Sequence, residues 1–160
     1  MSSSRDGNFK FTVDQMLGKL SRWLRLMGYD VFFPRGSVDD TCIIEKSRSE
    51  NRIIITKDYE VYVRYPLSIF ELYQDLDGQI YDFLDHFKFN VNDAFKRCPV
   101  CNGILKEFVG DRNELPEGVR KLNHVYVCTE CKKLYWNGSH YYRILKKLRE
   151  FDSHQKRKHS

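Results

Sequence analysis

The sequence predicts an α/β protein, an open and mostly parallel sheet with helices on both faces, followed by a small cysteine-bearing module and a last helix. Three observations carry that expectation. Apolar residues alternate at Phe9, Phe11 and Val13, the period of a strand. They then recur every three or four positions at Met16, Leu17, Leu20, Trp23, Leu24 and Met27, the period of a helix. This order of strand then helix repeats as far as Phe89, the signature of parallel strands joined by crossover helices. Beyond it lies a turn-rich stretch with two Cys-x-x-Cys pairs, too short and too rich in cysteine to continue the sheet.

The elements follow in order. The first helix stops at Gly28, a residue free to adopt the left-handed conformation that closes a helix. YDVFF, residues 29–33, is a second strand. Asp39 and Asp40 precede a helical segment in which Ile43, Ile44 and Ser47 share a face. RIIIT, residues 52–56, is a continuous β-branched run, as expected of a strand buried on both sides. LSIFEL, residues 67–72, is a fourth strand, closed by a helix carrying Ile80, Tyr81, Leu84 and Phe87. The expected divisions are a disordered lead-in over 1–8, the α/β domain over 9–89, a linker over 90–97 and the cysteine module over 98–138. A helix over 139–151 presents Tyr142, Leu145, Leu148 and Phe151 on one face, and a disordered basic tail covers 152–160.

The chain has 160 residues and a formal net charge of +5. Between Arg143 and Lys158 there are seven Lys/Arg and two Asp/Glu, so this segment holds the whole excess. Such a segment suits a polyanion, and equally suits a solvated helix face. No apolar run approaches about 18 residues, so no membrane span is expected. The N-terminus lacks the apolar core of a signal peptide, and a cytoplasmic location is the expectation.

Cys98/Cys101 and Cys128/Cys131 form two hooks, each able to aim two thiolates at one ion. Together they complete a closed tetrahedral site for structural Zn2+. A pair of disulfides is the rival arrangement, disfavoured in a reducing cytosol. Cys42 stands alone and is expected in the core of a helix.

Ligands of parallel α/β sheets gather at the carboxyl ends of the strands. Asp14 directly follows the first strand and Asp58 the third, while Asp39 and Asp40 lie before the second helix. Acids from three βα junctions can therefore converge. A carboxylate cluster repels itself unless it binds a cation, and oxygen-only ligands suit Mg2+ or Mn2+, the ions of metal-assisted phosphoryl transfer. The competing reading of each is a helix N-cap worth about 1 kcal/mol. Lys19, Arg22 and Arg25 recur every three residues on the first helix, placed either to grip phosphates or as a solvated face.

With these features in hand, the chain resembles the Mut-7 C-terminal RNase domain family, a PIN-like nuclease fold with an attached zinc ribbon. The likeness rests on FTVDQMLGKLSRWLRLMGYDV, on DD leading into a helix, on RIIITKD, on RCPVCNGIL with the second cysteine pair, and on LYWNGSHYYRI. It spans roughly Phe9 to Leu148. The resemblance implies a three-layer α/β/α fold and a hydrolase whose acidic cluster holds one or two divalent ions and cleaves RNA. By it, Asp14, Asp40 and Asp58 are the catalytic acids, with Asp39 and then Glu60 as candidates for a fourth. Lys57 stands where Arg is commoner, which keeps the charge but loses the planar fork. His140 is placed to contact RNA with Lys19, Arg22 and Lys57, and Tyr135 and Trp136 either stack on bases or cover the ribbon.

The sequence therefore predicts a cytoplasmic, metal-dependent ribonuclease, endonucleolytic, with RNA as partner. The alternative is a non-catalytic RNA- or ribosome-binding protein that keeps the fold and the ribbon. A third reading is a toxin-like nuclease silenced by a partner protein.

Overall fold

A computed structural model describes residues 9–158; the lead-in over 1–8 and the last two residues of the tail lie outside the described residues. The first sheet contains β1 (Lys10–Val13), β2 (Asp30–Phe32), β3 (Arg52–Thr56) and β4 (Ser68–Phe70). The strands are all parallel, in the order β2-β1-β3-β4. Alternation along β1 sorts the two faces. Phe11 and Val13 are fully buried against α1 (Gly18–Leu26), α4 (Leu76–His86) and α5 (Ser139–Lys158). Thr12, between them, points the other way and hydrogen-bonds the Ser47 hydroxyl of α2 (Asp40–Ser49) at 2.7 Å. Ile44, Ile54, Val61 and Tyr65 pack on that second face, under α2 and α3 (Tyr59–Arg64). The result is three layers. Phe11, Leu20, Leu24, Leu148 and Phe151 anchor the larger core, each worth about 1.5–3 kcal/mol when fully buried.

The second sheet is antiparallel, β5 (Leu105–Glu107), β6 (Val125–Cys128) and β7 (Leu134–Trp136) in that order. The segment between β5 and β6 closes over its own small core of Leu115, Val119 and Val125. Arg25 ties this module to the first sheet. Its Nε and Nη2 donate to the Val31 carbonyl of β2, while Nη1 donates to Pro99 and Val100 in the first cysteine hook. Asn102 adds two bonds, accepting the Val31 N–H and donating to Asp30. The edge strand β2 is thereby covered rather than left open.

Several expectations change. The chain makes a 3-10 turn over Gln15–Leu17 before α1 begins, which takes Met16 off the buried stripe and leaves it 70% exposed. Gly28 does close α1, at φ +101°. Cys42 is exposed, because only Ile44 and Ser47 of α2 turn fully inward. The 90–97 stretch packs Val91, Ala94 and Phe95 on the main core, and the Phe95 N–H bonds the Leu26 carbonyl. The helix α3 has no counterpart in the sequence pattern. The last helix runs to Lys158, past the expected end at 151. Asp152 and Gln155 are buried, and Gln155 exchanges two hydrogen bonds with the backbone of Phe89. Tyr142 faces outward; Leu148 and Phe151 make the contact.

Candidate functional site

The carboxyl rim of the first sheet is built by register. Val13 pairs with Ile55 and Thr56 with Phe70, so Asp14, Thr56–Lys57 and Glu71 take successive places along it. Asp14 is half-buried and held by three donors. Its Oδ1 accepts the Met16 N–H at 3.0 Å, and its Oδ2 accepts the Thr56 hydroxyl at 2.8 Å and the Lys57 N–H at 3.1 Å. Asp58 caps α3, with Oδ1 on the Glu60 N–H at 2.9 Å. Its own N–H donates to Thr56 Oγ1.

Asp40 lies in the first turn of α2. Asp14, Asp40 and Asp58 line one cleft of about 70 Å³, with Thr12, Gln15 and Thr56. Electrostatics couples them. Burial raises the Asp40 pKa above its ordinary value, the Asp58 charge raises it further, Arg64 opposes this, and Asp39 and Asp14 add to the rise. Asp39 is exposed, caps α2 through the Thr41 N–H, and does not line the cleft; neither does Glu60.

Sequence reasoning overlooked Glu71. It directly follows β4, its N–H donates to the Thr56 carbonyl at 2.8 Å, and it is buried. As a carboxylate it would have no donor for either oxygen. As an acid it can share its proton with Asp82 of α4. Its pKa is pushed up to about 8 by burial first, then by the hydrogen bond to and the charge of Asp82, with Lys57 opposing. The acid-after-strand pattern that marked Asp14 marks Glu71 too.

The basic candidates separate. Arg25 is buried and spent on carbonyls, so it grips no phosphate. Lys19 is exposed on α1. Lys57 sits at the rim, its charge felt by Glu71. Arg22 and His140 meet at a separate groove of about 510 Å³ between α1, the ribbon and the start of α5, together with Tyr135 and Trp136.

The cysteines form the tightest cluster. The Sγ atoms of Cys98 and Cys131 are 3.8 Å apart and those of Cys101 and Cys128 3.4 Å, too far for disulfides. A tetrahedron of four sulfurs with bonds of about 2.3 Å to a central zinc has edges of about 3.8 Å. The two hooks repeat one geometry. The Asn102 N–H returns to Cys98 and the Lys132 N–H to Cys128, and both residues take positive φ, 73° and 65°. A Cβ on Gly103 would lie 2.7 Å from Cys128 Sγ, so that approach requires glycine. The Tyr135 hydroxyl lies 3.0 Å from Cys98 Sγ. These four thiols could bind a structural zinc. Among the described residues they are the group of three or more that brings ligand atoms within 4.8 Å of one another; the three aspartates share their cleft more loosely.

No curated protein and no solved structure gives a match. Residues 9–148 do match the family described as the Mut7-C RNAse domain, and since that span takes in both sheets and both sets of candidate ligands, the chain belongs to this family.

Proposed function

We propose that the chain is a metal-dependent ribonuclease, endonucleolytic and cytoplasmic, that hydrolyses RNA phosphodiesters at the cleft of Asp14, Asp40 and Asp58. The carrying observation is that three acids from separate βα junctions line one cleft at the sheet rim, with the Asp40 carboxyl raised partly by the charges of the other two. Such repulsion is relieved by a divalent cation, and oxygen ligands select Mg2+ or Mn2+. The cleft has room for an ion with one or two waters, at about 30 Å³ per water. Bound there, the ion would supply a more acidic water and neutralise charge on phosphoryl oxygens. Thr56 holds Asp14 in place, and Asp58 keeps Oδ2 clear of its capping bond. Family membership supports RNA as the substrate class. The four-cysteine cluster is proposed to hold Zn2+ as a closed structural site, since four sulfurs leave no open coordination position.

A second reading has its own observation. Asp14 already accepts three hydrogen bonds in capping and rim contacts, and the aspartates are more dispersed than the cysteines. This favours an RNA- or ribosome-binding protein that keeps the fold without turnover. Cleavage of labelled single-stranded RNA with Mn2+ separates the two. Wild type is expected to cut, and Asp14→Asn and Asp58→Asn to lose at least about a hundredfold, the scale of losing one catalytic positioning group. Salt-dependent binding without cleavage under any divalent ion would support the binding protein.

A further inference from the structure

The acidic cleft adjoins an aromatic surface that the proposed chemistry leaves unused. Tyr59 directly follows Asp58 and opens α3, and Tyr62 lies one turn further along the same side. Both rings meet Phe70 at the end of β4, with centroids 6.0 and 5.6 Å away, and they lie 6.0 Å from each other. Phe70 pairs in register with Thr56, the cleft residue that holds Asp14, so the two side chains share a face of the sheet. Neighbouring strands are about 4.8 Å apart, and the cluster therefore begins one strand away from the cleft wall. Val61, on the inner side of α3, lines the cleft as well.

Packing does not account for the two tyrosines. Val61 and Tyr65 supply the buried side of α3, whereas Tyr59 is 64% and Tyr62 40% exposed. Clustered exposed aromatic surface marks a contact site, and the position of this one selects the contact. A phosphodiester seated at Asp14 and Asp58 carries a base on either side of it, and the rings stand beside Asp58. Arg64 reaches from α3 to Thr41 Oγ1, next to Asp40, at 2.7 Å and adds a cation at the same edge. A duplex keeps its bases paired and stacked on one another, so an unpaired strand is what can offer a base face. We infer that Tyr59, Tyr62 and Phe70 form a stacking platform for the unpaired base next to the phosphodiester in the cleft, which restricts the substrate to single-stranded RNA. The inference rests on the ribonuclease reading and deepens it. The platform selects the form of the RNA and not its sequence, since every base has a π-face.

The test pairs a change in the protein with a change in the RNA. A fluorescein-labelled single-stranded oligomer of mixed sequence is cut with Mn2+, alongside copies in which one internal nucleotide is abasic. In wild type, cutting at a bond flanking the abasic position is expected to fall by roughly five- to a hundredfold, the span of one lost base stack. The double variant Tyr59→Leu, Tyr62→Leu is expected to cut the intact oligomer more slowly by a similar factor and to ignore the abasic position. Tyr59→Leu alone, at the more exposed position, should show the same effect in smaller measure. Tyr59→Phe with Tyr62→Phe should behave as wild type, which separates lost stacking from lost folding. The same oligomer annealed to its complement should resist wild type.

Wild-type cutting that ignores the abasic position, or that proceeds equally on the duplex, would overturn the inference. So would an abasic penalty that survives in the leucine variants. A wild-type dimer by light scattering that the double variant loses, with cutting unaffected, would give the patch to a second copy of the chain. The two readings fail separately. If wild type cuts nothing, anisotropy of the labelled oligomer with Ca2+ in place of Mn2+ still reads the platform. Weaker binding by the double variant then removes only the nuclease, and equal binding removes both. Cutting that needs Asp14 but ignores the abasic position removes only the platform.

Discussion

The Thr56 hydroxyl donates to Asp14 Oδ2 at 2.8 Å and at the same time accepts the Asp58 N–H at 2.9 Å. One side chain thus sets the separation of two acids that are 44 positions apart in sequence by their numbers. Replacing it by valine keeps the shape and removes both bonds. Thr56→Val should cut RNA cleavage about tenfold or more and cost about 1–3 kcal/mol of stability, the range for a buried donor left unpaired. Thr56→Ser should retain most of both. Cleavage assays and urea unfolding of the two variants decide it; equal activity in Thr56→Val would remove the role assigned to this hydroxyl.

Arg25 is the tie between sheet and ribbon. Its guanidinium reaches three carbonyl groups, on Val31, Pro99 and Val100, and it is 6% exposed. Arg25→Met should destabilise by about 2–4 kcal/mol, since several buried acceptors lose their donor together. Protease cleavage should appear first between residues 90 and 103. A stability within about 0.5 kcal/mol of wild type, the spread of ordinary surface substitutions, would contradict this account of the interface.

Glu71 gives a pH signature. Its folded pKa of about 8 lies above the ordinary value of 4.5, so the folded state holds a proton the unfolded state has lost between these values. Stability from this group is therefore full below about pH 4.5 and declines as pH rises toward 8. The void beside it, about 10 Å³ and shared with Gln79 and Asp82, is no larger than one water needs, so the charge is solvated far less than in bulk. Glu71→Gln, which can still donate to Asp82, should flatten this decline, with a higher Tm than wild type at a pH above the folded pKa. Parallel Tm-versus-pH curves for the two proteins would refute the shared proton.

Most of the parallel sheet is legible in the sequence because its signals are local. RIIIT is a continuous β-branched run that marks a buried strand, and Gly28 supplies the positive φ that closes a helix. The features that escape depend on distant partners or on short elements. Arg25 reads as one of three cations that either grip phosphates or form a solvated face, until the first cysteine hook covers it. Residues 152–158 read as tail by charge, yet Gln155 finds the Phe89 backbone 66 positions away. YEVYVR is rich in β-branched and aromatic residues and is only six residues long, too short for helical periodicity to declare itself, so α3 escapes a reading by pattern. Of the site, Asp14, Asp40 and Asp58 are legible as ends of strands and starts of helices. That Arg22 and His140 share a groove is not, because it follows from how α1 meets the ribbon.

The cysteine cluster predicts one zinc per chain by elemental analysis. Chelation should unfold β5, β6 and β7 and release Arg25 from Pro99 and Val100, while the parallel sheet keeps its far-UV dichroism. Cys98→Ser should do the same without chelator. Full dichroism and an intact ribbon after metal removal would show that the thiols need no ion.

The central claim is that the rim of the first sheet holds a divalent cation. Anomalous diffraction from crystals soaked in Mn2+ tests it most directly. A peak is expected in the cleft, within about 2.0–2.6 Å of carboxylate oxygens of Asp14, Asp40 and Asp58. A saturating soak that leaves this cleft without a peak, in a protein that still cuts RNA, would contradict it.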